Sequence, residues 1–424
     1  MPRALQSTSA TSRALLLVLN CGSSSIKFAV FEATGTRLAR QPLWNGKVQG
    51  IGGPRPDFGE SGIEPYPIEL DHESPYHAAL AFLRERVTAR LGEREIVAVA
   101  HRVVHGGAKY FQPTVIDAQV LTDLRSYIPL APLHQPFALQ AMGILLEEQP
   151  DIVQVACFDT AFHHTLPQVE QMLPLPFAAW ERGLRRYGFH GLSYAYLAQV
   201  LPERHGDKAA GRVIAAHLGS GASLCAMRER KSIATTMGFS ALDGLMMGTR
   251  TGALDPGAVL YLMEIEKLSL EQVGHLLYHE SGLLGVSGIS SEPRVLLQRE
   301  QAGDAAGDQA RIALALYVRR IVREAGALVA VLGGLDLLVF TAGVGEHSAE
   351  IRSRICRELE WLGLELDAEA NARHEAVIST ARSAIRVAVE PTNEEWVAAS
   401  QAFEAIGNRS RERRTPQHPL AGKP

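Results

Sequence analysis

Residues 14–32 read ALLLVLNCGSSSIKFAVFE: an apolar run, a short loop of glycine and serine, then a run in which polar residues interrupt apolar and aromatic ones. The second run, SIKFAVFE, and the apolar stretch before it predict two strands joined by a turn, the start of an antiparallel pair. The loop is chemically distinctive. Asn20, Ser23, Ser25 and Lys27 set small polar groups and one cation around Gly22. Glycine lets the backbone approach an anion closely, while successive N–H groups and hydroxyls donate to it. Such a loop suits phosphate, although an ordinary hairpin turn has the same residue types.

Outward from this stretch the pattern returns twice. RVIAAHL opens into Gly219, Ser220, Gly221, Ala222 and Ser223, and LDLLVFTA opens into Gly343, Val344, Gly345, Glu346 and His347. The first return repeats strand, glycine loop and strand, which predicts two related α/β halves. Three such fingers suit a nucleotide. No GxxxxGK[ST] occurs, so the P-loop reading lacks its main support.

The chain has 424 residues, more than one hydrophobic core usually serves, so two domains are expected. Its 46% hydrophobic and 21% charged residues are ordinary for soluble globular proteins. A formal net charge of −4 supplies no global basic surface, and no nucleic-acid partner is expected. Cys21, Cys157, Cys225 and Cys356 lie far apart with no CxxC pair, which argues against a zinc knuckle or a disulfide framework and fits a reducing cytoplasm. Arg3 and Arg13 before ALLLVL loosely imitate an export signal, but the apolar core is only about six residues, short of the 7–15 required. No run approaches the roughly 18 apolar residues of a membrane span, and no membrane partner is expected.

Along the chain, 45–67 reads as an irregular excursion or short strands, and 74–91 as a helix capped by Ser74 with Pro75 in its first turn. Strands are expected at 96–100, 154–158, 335–341 and 384–389. Helices are expected at 255–265, 269–280, 308–332 and 348–358, with a last helix from about 393 capped by Thr392 or Asn393. Residues 1–12 and 408–424 read as mobile tails.

Several motifs carry candidate chemistry. HRVVHGG at 101–107 sets Arg102, a permanent cation, beside Val103 and Val104, as a carboxylate or phosphoryl group next to a small alkyl pocket requires. Its His101 and His105 lack the HExxH glutamate, and glycines follow, so a metal pair there is disfavoured. FDTAFH puts Asp159 at a strand's carboxyl end, where α/β proteins position ligands, with a structurally satisfied aspartate as the alternative. RRYGFHG holds His190 between glycines, where a core histidine is also reasonable, and MGFSALDGLMMGTRTG isolates Arg250 among glycines as a phosphate clamp. Two arginines, a histidine and an aspartate beside nucleotide-type loops make the inventory of phosphoryl transfer.

NCGSSSIK, HRVVHGG, APLHQP, FDTAFH, RRYGFHG, HLGSGAS, MGFSALDGLMMGTRTGALDPG, SGLLGVSGISSEPR, FTAGVGEHS and PTNEE resemble, in order and over roughly residues 14–406, the acetate kinase family. The resemblance implies a duplicated ribonuclease H-like (actin-like ATPase) α/β fold of two domains with a nucleotide in the interdomain cleft. It implies an N-terminal domain at 13–160 completed by the helix at about 393–407, and a nucleotide-binding and dimerisation domain at 161–392. The implied partners are acetate and acetyl phosphate, ATP and ADP, and a second copy in a homodimer; the implied cofactor is Mg²⁺, with Mn²⁺ as the alternative.

Roles carry over position by position. Asn20 and Glu394 would hold the metal and Lys27 would face the nucleotide phosphates. Arg102 would hold the acyl substrate, Asp159 would be the essential carboxylate, and His190 and Arg250 would stabilise the phosphoryl group in flight. His217, Leu218, Gly219, Ser220 and Gly221, then Glu292, Pro293 and Arg294, then Gly343, Val344, Gly345, Glu346 and His347 would hold the nucleotide. Val104, Leu133, Phe189 and Ala241 would line the acyl pocket.

Departures from the family pattern fall mainly on the nucleotide side. Ser220 replaces an asparagine, Glu292 an aspartate, and His347 the asparagine of a GEN turn. Leu192 and Tyr194 also differ from the usual residues after His190, and Ala241 replaces a proline. The reading is therefore reversible transfer of a phosphoryl group from ATP to acetate by in-line displacement. The alternatives are a kinase preferring propionate or butyrate, and a catalytically weak nucleotide-binding or sensing protein.

Overall fold

In a computed structural model that describes residues 14–132 and 134–412, with side chains as far as residue 407, the hairpin of residues 14–32 is the middle of a sheet. The expected N-terminal tail, the tail beyond residue 412 and Leu133 lie outside the described residues. Contacts divide the chain into two units, one comprising residues up to Ala161 together with those from Asn393 onward, the other Phe162–Thr392.

In the first unit, β1 (Ala14–Cys21) pairs antiparallel with β2 (Ser25–Glu32), setting Leu19 opposite Phe28 and Asn20 opposite Lys27. The meander continues through β3 (Trp44–Gln49), β4 (Asp57–Glu60) and β5 (Ile63–Pro67), so the Gly- and Pro-rich stretch forms short strands. On the other side of β1 lie β6 (Glu95–Val103), then β7 (Thr114–Val115) and β8 (Val153–Phe158), giving the order β5-β4-β3-β2-β1-β6-β8-β7. β6 runs past the expected end at residue 100, which puts His101 and Arg102 on a strand.

The period-2 pattern of β2 and β3 buries Ile26, Phe28 and Val48 in a core shared with Ala79, Leu83 and Val87 of the helix Pro75–Leu91. Full burial of each larger side chain contributes about 1.5–3 kcal/mol. Ser74 does not cap that helix with its side chain; its hydroxyl donates to Asp71 instead, at 2.8 Å. The last helix, Glu394–Glu412, packs on β1, β6 and β8. Asn393 rather than Thr392 caps it, its Oδ1 accepting from Trp396 N at 3.0 Å, and the helix continues past residue 407, where a tail was expected.

The second unit repeats this plan. β9 (Val213–Leu218) and β10 (Ala222–Arg228) form the hairpin around Gly219–Gly221, followed by β11 (Lys231–Thr235), β12 (Leu337–Thr341) and β13 (Arg386–Val389), in the order β11-β10-β9-β12-β13. Strands β3-β2-β1-β6-β8 and β11-β10-β9-β12-β13 share one pattern: two antiparallel pairings, then two parallel ones. Immediately after β13 comes Glu390, fully buried, paired with Arg204 and 3.0 Å from His205 Nε2. The glycine stretch after β12 is not a loop: Ala342–His347 forms a short helix. No helix among the described residues is long and apolar enough to cross a membrane.

Candidate active site

In the first unit, parallel pairing of β6 with β8 sets Arg102 beside Cys157 and Val103 beside Phe158. Asp159 N donates to Val103 O at 2.9 Å, which carries the strand geometry one residue further and brings the Asp159 carboxylate to Arg102. Arg102 Nε and Nη2 both donate to Asp159 Oδ2, at 3.0 and 2.7 Å, while Nη1 lies 3.3 Å from Glu394 Oε2. Asp159 is 2% exposed and the Arg102 side chain 22%. Burial opposes the guanidinium charge, but Asp159 and Glu394 outweigh it and raise the Arg102 pKa above its ordinary value.

The turn after Arg102 is pinned by residues outside the motif. Gln135, from APLHQP, donates to His105 O at 3.0 Å and accepts from His105 N at 3.3 Å. Gly106 N donates to Thr160 Oγ1 at 3.2 Å, and a Cβ at Gly106 would meet Tyr110 O at 2.0 Å, so only glycine fits. His101 and His105 are buried apart from one another's partners: His101 Nε2 bonds Gln154 Oε1 at 2.8 Å and His105 Nδ1 accepts from Gly107 N at 2.8 Å. Burial pushes both histidines down to about 4.

Asn20, near the end of β1, is half-buried; Lys27, opposite it on β2, is exposed; Val104, just past β6, is half-buried. Among the described residues no group of three or more His, Cys, Asp or Glu forms a metal cage. The carboxamide of Asn20 and the carboxylate of Glu394 are hard oxygen donors, and Mg²⁺ asks for only one or two such groups beside water and phosphate. That donor set fits magnesium.

In the second unit, Gly188 has φ +72° and leaves no room for a side chain, because its Cβ would meet the His163 ring at 2.6 Å. The chain then turns through His190, itself left-handed at φ +58°, into the helix Gly191–His205. A non-glycine residue held there stores strain, and such strain gathers at functional sites. His190 Nδ1 is hydrogen-bonded to Ser223 Oγ at 2.8 Å, and its ring stacks on His217 with centroids 4.1 Å apart. His217 Nδ1 bonds Ser193 Oγ at 2.9 Å, and the Tyr194 hydroxyl donates to Ser223 O at 3.0 Å.

Gly219 N donates to Gly221 O at 3.0 Å, closing the turn between β9 and β10. A Cβ on Gly221 would lie 3.1 Å from His190 Nε2 and 3.7 Å from Arg250 Nη1, so one glycine leaves both groups standing over the turn. Arg250 Nη1 donates to Ala241 O at 3.0 Å, and no carboxylate pairs with Arg250 among the described residues. Burial lowers its pKa from the ordinary arginine value, with Tyr278 opposing.

The remaining sequence candidates are distributed unevenly. Ser220 is exposed and Leu218 buried. Glu292 and Arg294 are exposed beside buried Pro293, which opens the helix Pro293–Arg299. In Ala342–His347, Glu346 is turned on its own backbone, Oε1 accepting from Ala342 N at 2.8 Å and Thr392 N at 3.2 Å. Fully buried Arg352 donates to the carbonyls of Gly345 and Glu346, at 2.9 and 2.8 Å, whereas His347 is largely exposed. Phe189 is only 2% exposed and Ala241 half-buried. Gln135, Ser193 and Arg352 escaped sequence reasoning, and Ser223 was read only as part of the glycine loop, not as the partner of His190. The APLHQP and HLGSGAS strings contain Gln135 and Ser223, but nothing in them reveals their long-range partners.

A sheet of this order, repeated within one chain, is the actin-like α/β fold. The chain belongs to the acetokinase family, whose sequence profile matches residues 15–400. It is 48% identical over 395 residues to the acetate kinase of Rhodopseudomonas palustris strain TIE-1, covering 92% of this chain and 98% of the relative. It is 45% identical to that of Methylocella silvestris, covering 91% and 96%. Among solved structures, the acetate kinase of Porphyromonas gingivalis matches with a TM-score of 0.81 at 35% identity, covering 93% of this chain and all of that one. A propionate kinase from Francisella tularensis matches with a TM-score of 0.84 at 33% identity, covering 92% and 98%.

Proposed function

We infer that the chain catalyses reversible transfer of the γ-phosphoryl group of ATP to acetate, giving acetyl phosphate and ADP by direct in-line displacement. The observation that carries the site assignment is Arg250, a half-buried guanidinium without a carboxylate partner among the described residues, beside His190 Nε2 at Gly221. An unneutralised, desolvated cation is what a transferring phosphoryl group needs, and removing one such donor costs about 2.7–4 kcal/mol.

Acetate is already ionised near neutral pH, so its carboxylate oxygen serves as the nucleophile and no strong general base is needed. Arg102 holds the acetate carboxylate, and Asp159 orients that guanidinium rather than removing a proton. His190, fixed by Ser223, and Arg250 stabilise charge on the phosphoryl oxygens. Asn20 and Glu394 would hold magnesium, which when bound would neutralise charge on the donor phosphates. Lys27 faces the donor phosphates. The segments 217–221, 292–294 and 343–347 hold the nucleotide; Glu346 does so by shaping the turn.

The chain works as a homodimer in the cytoplasm, where its four buried cysteines remain free thiols. Support for the dimer comes from the helix Pro256–Glu264, which has no buried residue and exposes Leu260 and Tyr261.

Trapping acetyl phosphate as its hydroxamate in a mixture of ATP and acetate tests the activity. Arg250→Ala should lose on the order of 100- to 1000-fold in turnover; near-normal turnover would remove Arg250 from the site. Propionate is the second reading, favoured by Ala241 where the family carries proline. Running the same assay with propionate and butyrate decides between them, since one methylene is worth about 1–3 kcal/mol.

A further inference from the structure

On β2 and β3, Lys27 and Lys47 are directly opposite one another in the antiparallel register. Both are exposed, and neither pairs with a carboxylate among the described residues. Like charges at opposed positions destabilise a sheet, so this placement has a cost that an anionic ligand would remove. The next cross-strand partner of Lys27 is Asn20 on β1. One position beyond the Leu19–His101 pair, Asn20 falls level with Arg102 on β6. A row of polar groups therefore crosses the sheet from Arg102 through Asn20 and Lys27 to Lys47.

The two lysines line a cavity of about 540 Å³ over Gly46 and Gly59. The polar groups around it favour an anion. Asn45 Oδ1 is occupied by the Ser61 hydroxyl at 2.7 Å, which leaves the Asn45 amide as a donor. Glu60 lines the cavity, but its carboxylate is committed to Arg86 and Arg90, at 3.1 and 3.2 Å. Glu395 is the remaining carboxylate at the rim, beside Asn393 and Gln41. Two ammonium groups thus stand against one carboxylate.

We propose that Lys47 and Lys27 together form a subsite for a condensed phosphate chain on the exposed face of β2 and β3. Lys47 is a binding group that extends the role given to Lys27, and the inference rests on that assignment. The chain is either the triphosphate tail of the nucleotide or free inorganic polyphosphate, since both offer the same bridged oxyanions.

Titration calorimetry of the full chain with inorganic tripolyphosphate and, separately, with ATP tests the subsite in Lys47→Ala, Lys47→Arg and Lys27→Ala, with Lys231→Ala as a control for loss of one surface charge. Lys47→Ala should weaken tripolyphosphate roughly tenfold, as expected for loss of a charged hydrogen bond, while Lys47→Arg stays within about twofold because its cation remains. An equal loss for ATP assigns the subsite to the nucleotide tail; a loss for tripolyphosphate alone assigns it to the free chain. If Lys27→Ala weakens binding and Lys47→Ala matches Lys231→Ala, the Lys47 subsite is overturned and the role of Lys27 stands. If neither lysine variant differs from the control, both are overturned.

Discussion

Arg102 directs two of its nitrogens, Nε at 3.0 Å and Nη2 at 2.7 Å, at the single oxygen Oδ2 of Asp159. The pair spans the ends of two parallel strands, so backbone registry delivers both groups and the ion pair then sets the plane of the guanidinium. A third nitrogen, Nη1, is directed toward Glu394. The fork geometry matters here as much as the charge.

Arg102→Lys retains a cation but loses that fork. The apparent KM for acetate should rise at least tenfold, since a charged hydrogen bond is worth about 1.5–3 kcal/mol, while the melting temperature changes little. Steady-state kinetics with acetate varied at saturating ATP give the answer, and an unchanged acetate KM would detach Arg102 from the acyl substrate.

Acid should destabilise the fold well before the carboxylates titrate. Burial lowers His101, His105 and His163 from the ordinary 6.5 to about 4. Above pH 6.5 these histidines are neutral in folded and unfolded chains alike, and they cost nothing. Between 6.5 and 4 the unfolded chain takes up protons that the folded one refuses, so stability falls by at most about 1.4 kcal/mol per pH unit for each histidine. Asp336, which its hydrogen bond with Arg212 holds down to about 2, adds its own loss only below the ordinary carboxylate value of 3.8. Urea unfolding at pH 7.5, 6 and 5 should show a steep decline; a flat profile across that window would mean that the three histidines are protonated in the fold.

Leu260→Glu with Tyr261→Glu should give a monomer. Both residues are more than half exposed on a helix that buries nothing among the described residues, with Ile265 and Leu270 exposed just beyond it. Two carboxylates opposed across a symmetric interface repel. Sedimentation velocity measures the mass directly, and a dimer that survives both charges would put the interface elsewhere.

The hairpins and the strand-end aspartate were legible because they rest on local signals. Alternation, turn residues and position along a strand are properties of a few neighbours, and they located β1, β2, β9, β10 and Asp159. Other features were set by distant groups. Gly343 and Gly345 read as a loop, yet Arg352 and Thr392 grip the segment into a helical turn that starts from left-handed Ala342. Ser74 has the chemistry of a cap, but Asp71 takes its hydroxyl. The helices Ala118–Ser126, Gln135–Glu148 and Gly191–His205 went unread. The last of them starts from His190 in a conformation that only tertiary contacts hold.

The repeated sheet also records a divergence. Asp159 follows β8 and Glu390 follows β13, corresponding places in two copies of one plan, and each carboxylate meets an arginine. Both carboxylates are buried, Glu390 with none of its side chain exposed and Asp159 with 2%, but Glu390 also meets the buried ring of His205. Glu390 is a rivet between the strand end and the helix that carries Arg204 and His205, whereas Asp159 shares its arginine with a second carboxylate, Glu394. Mutations at Glu390 should therefore register as loss of folded protein and those at Asp159, on the role proposed for it, as loss of turnover.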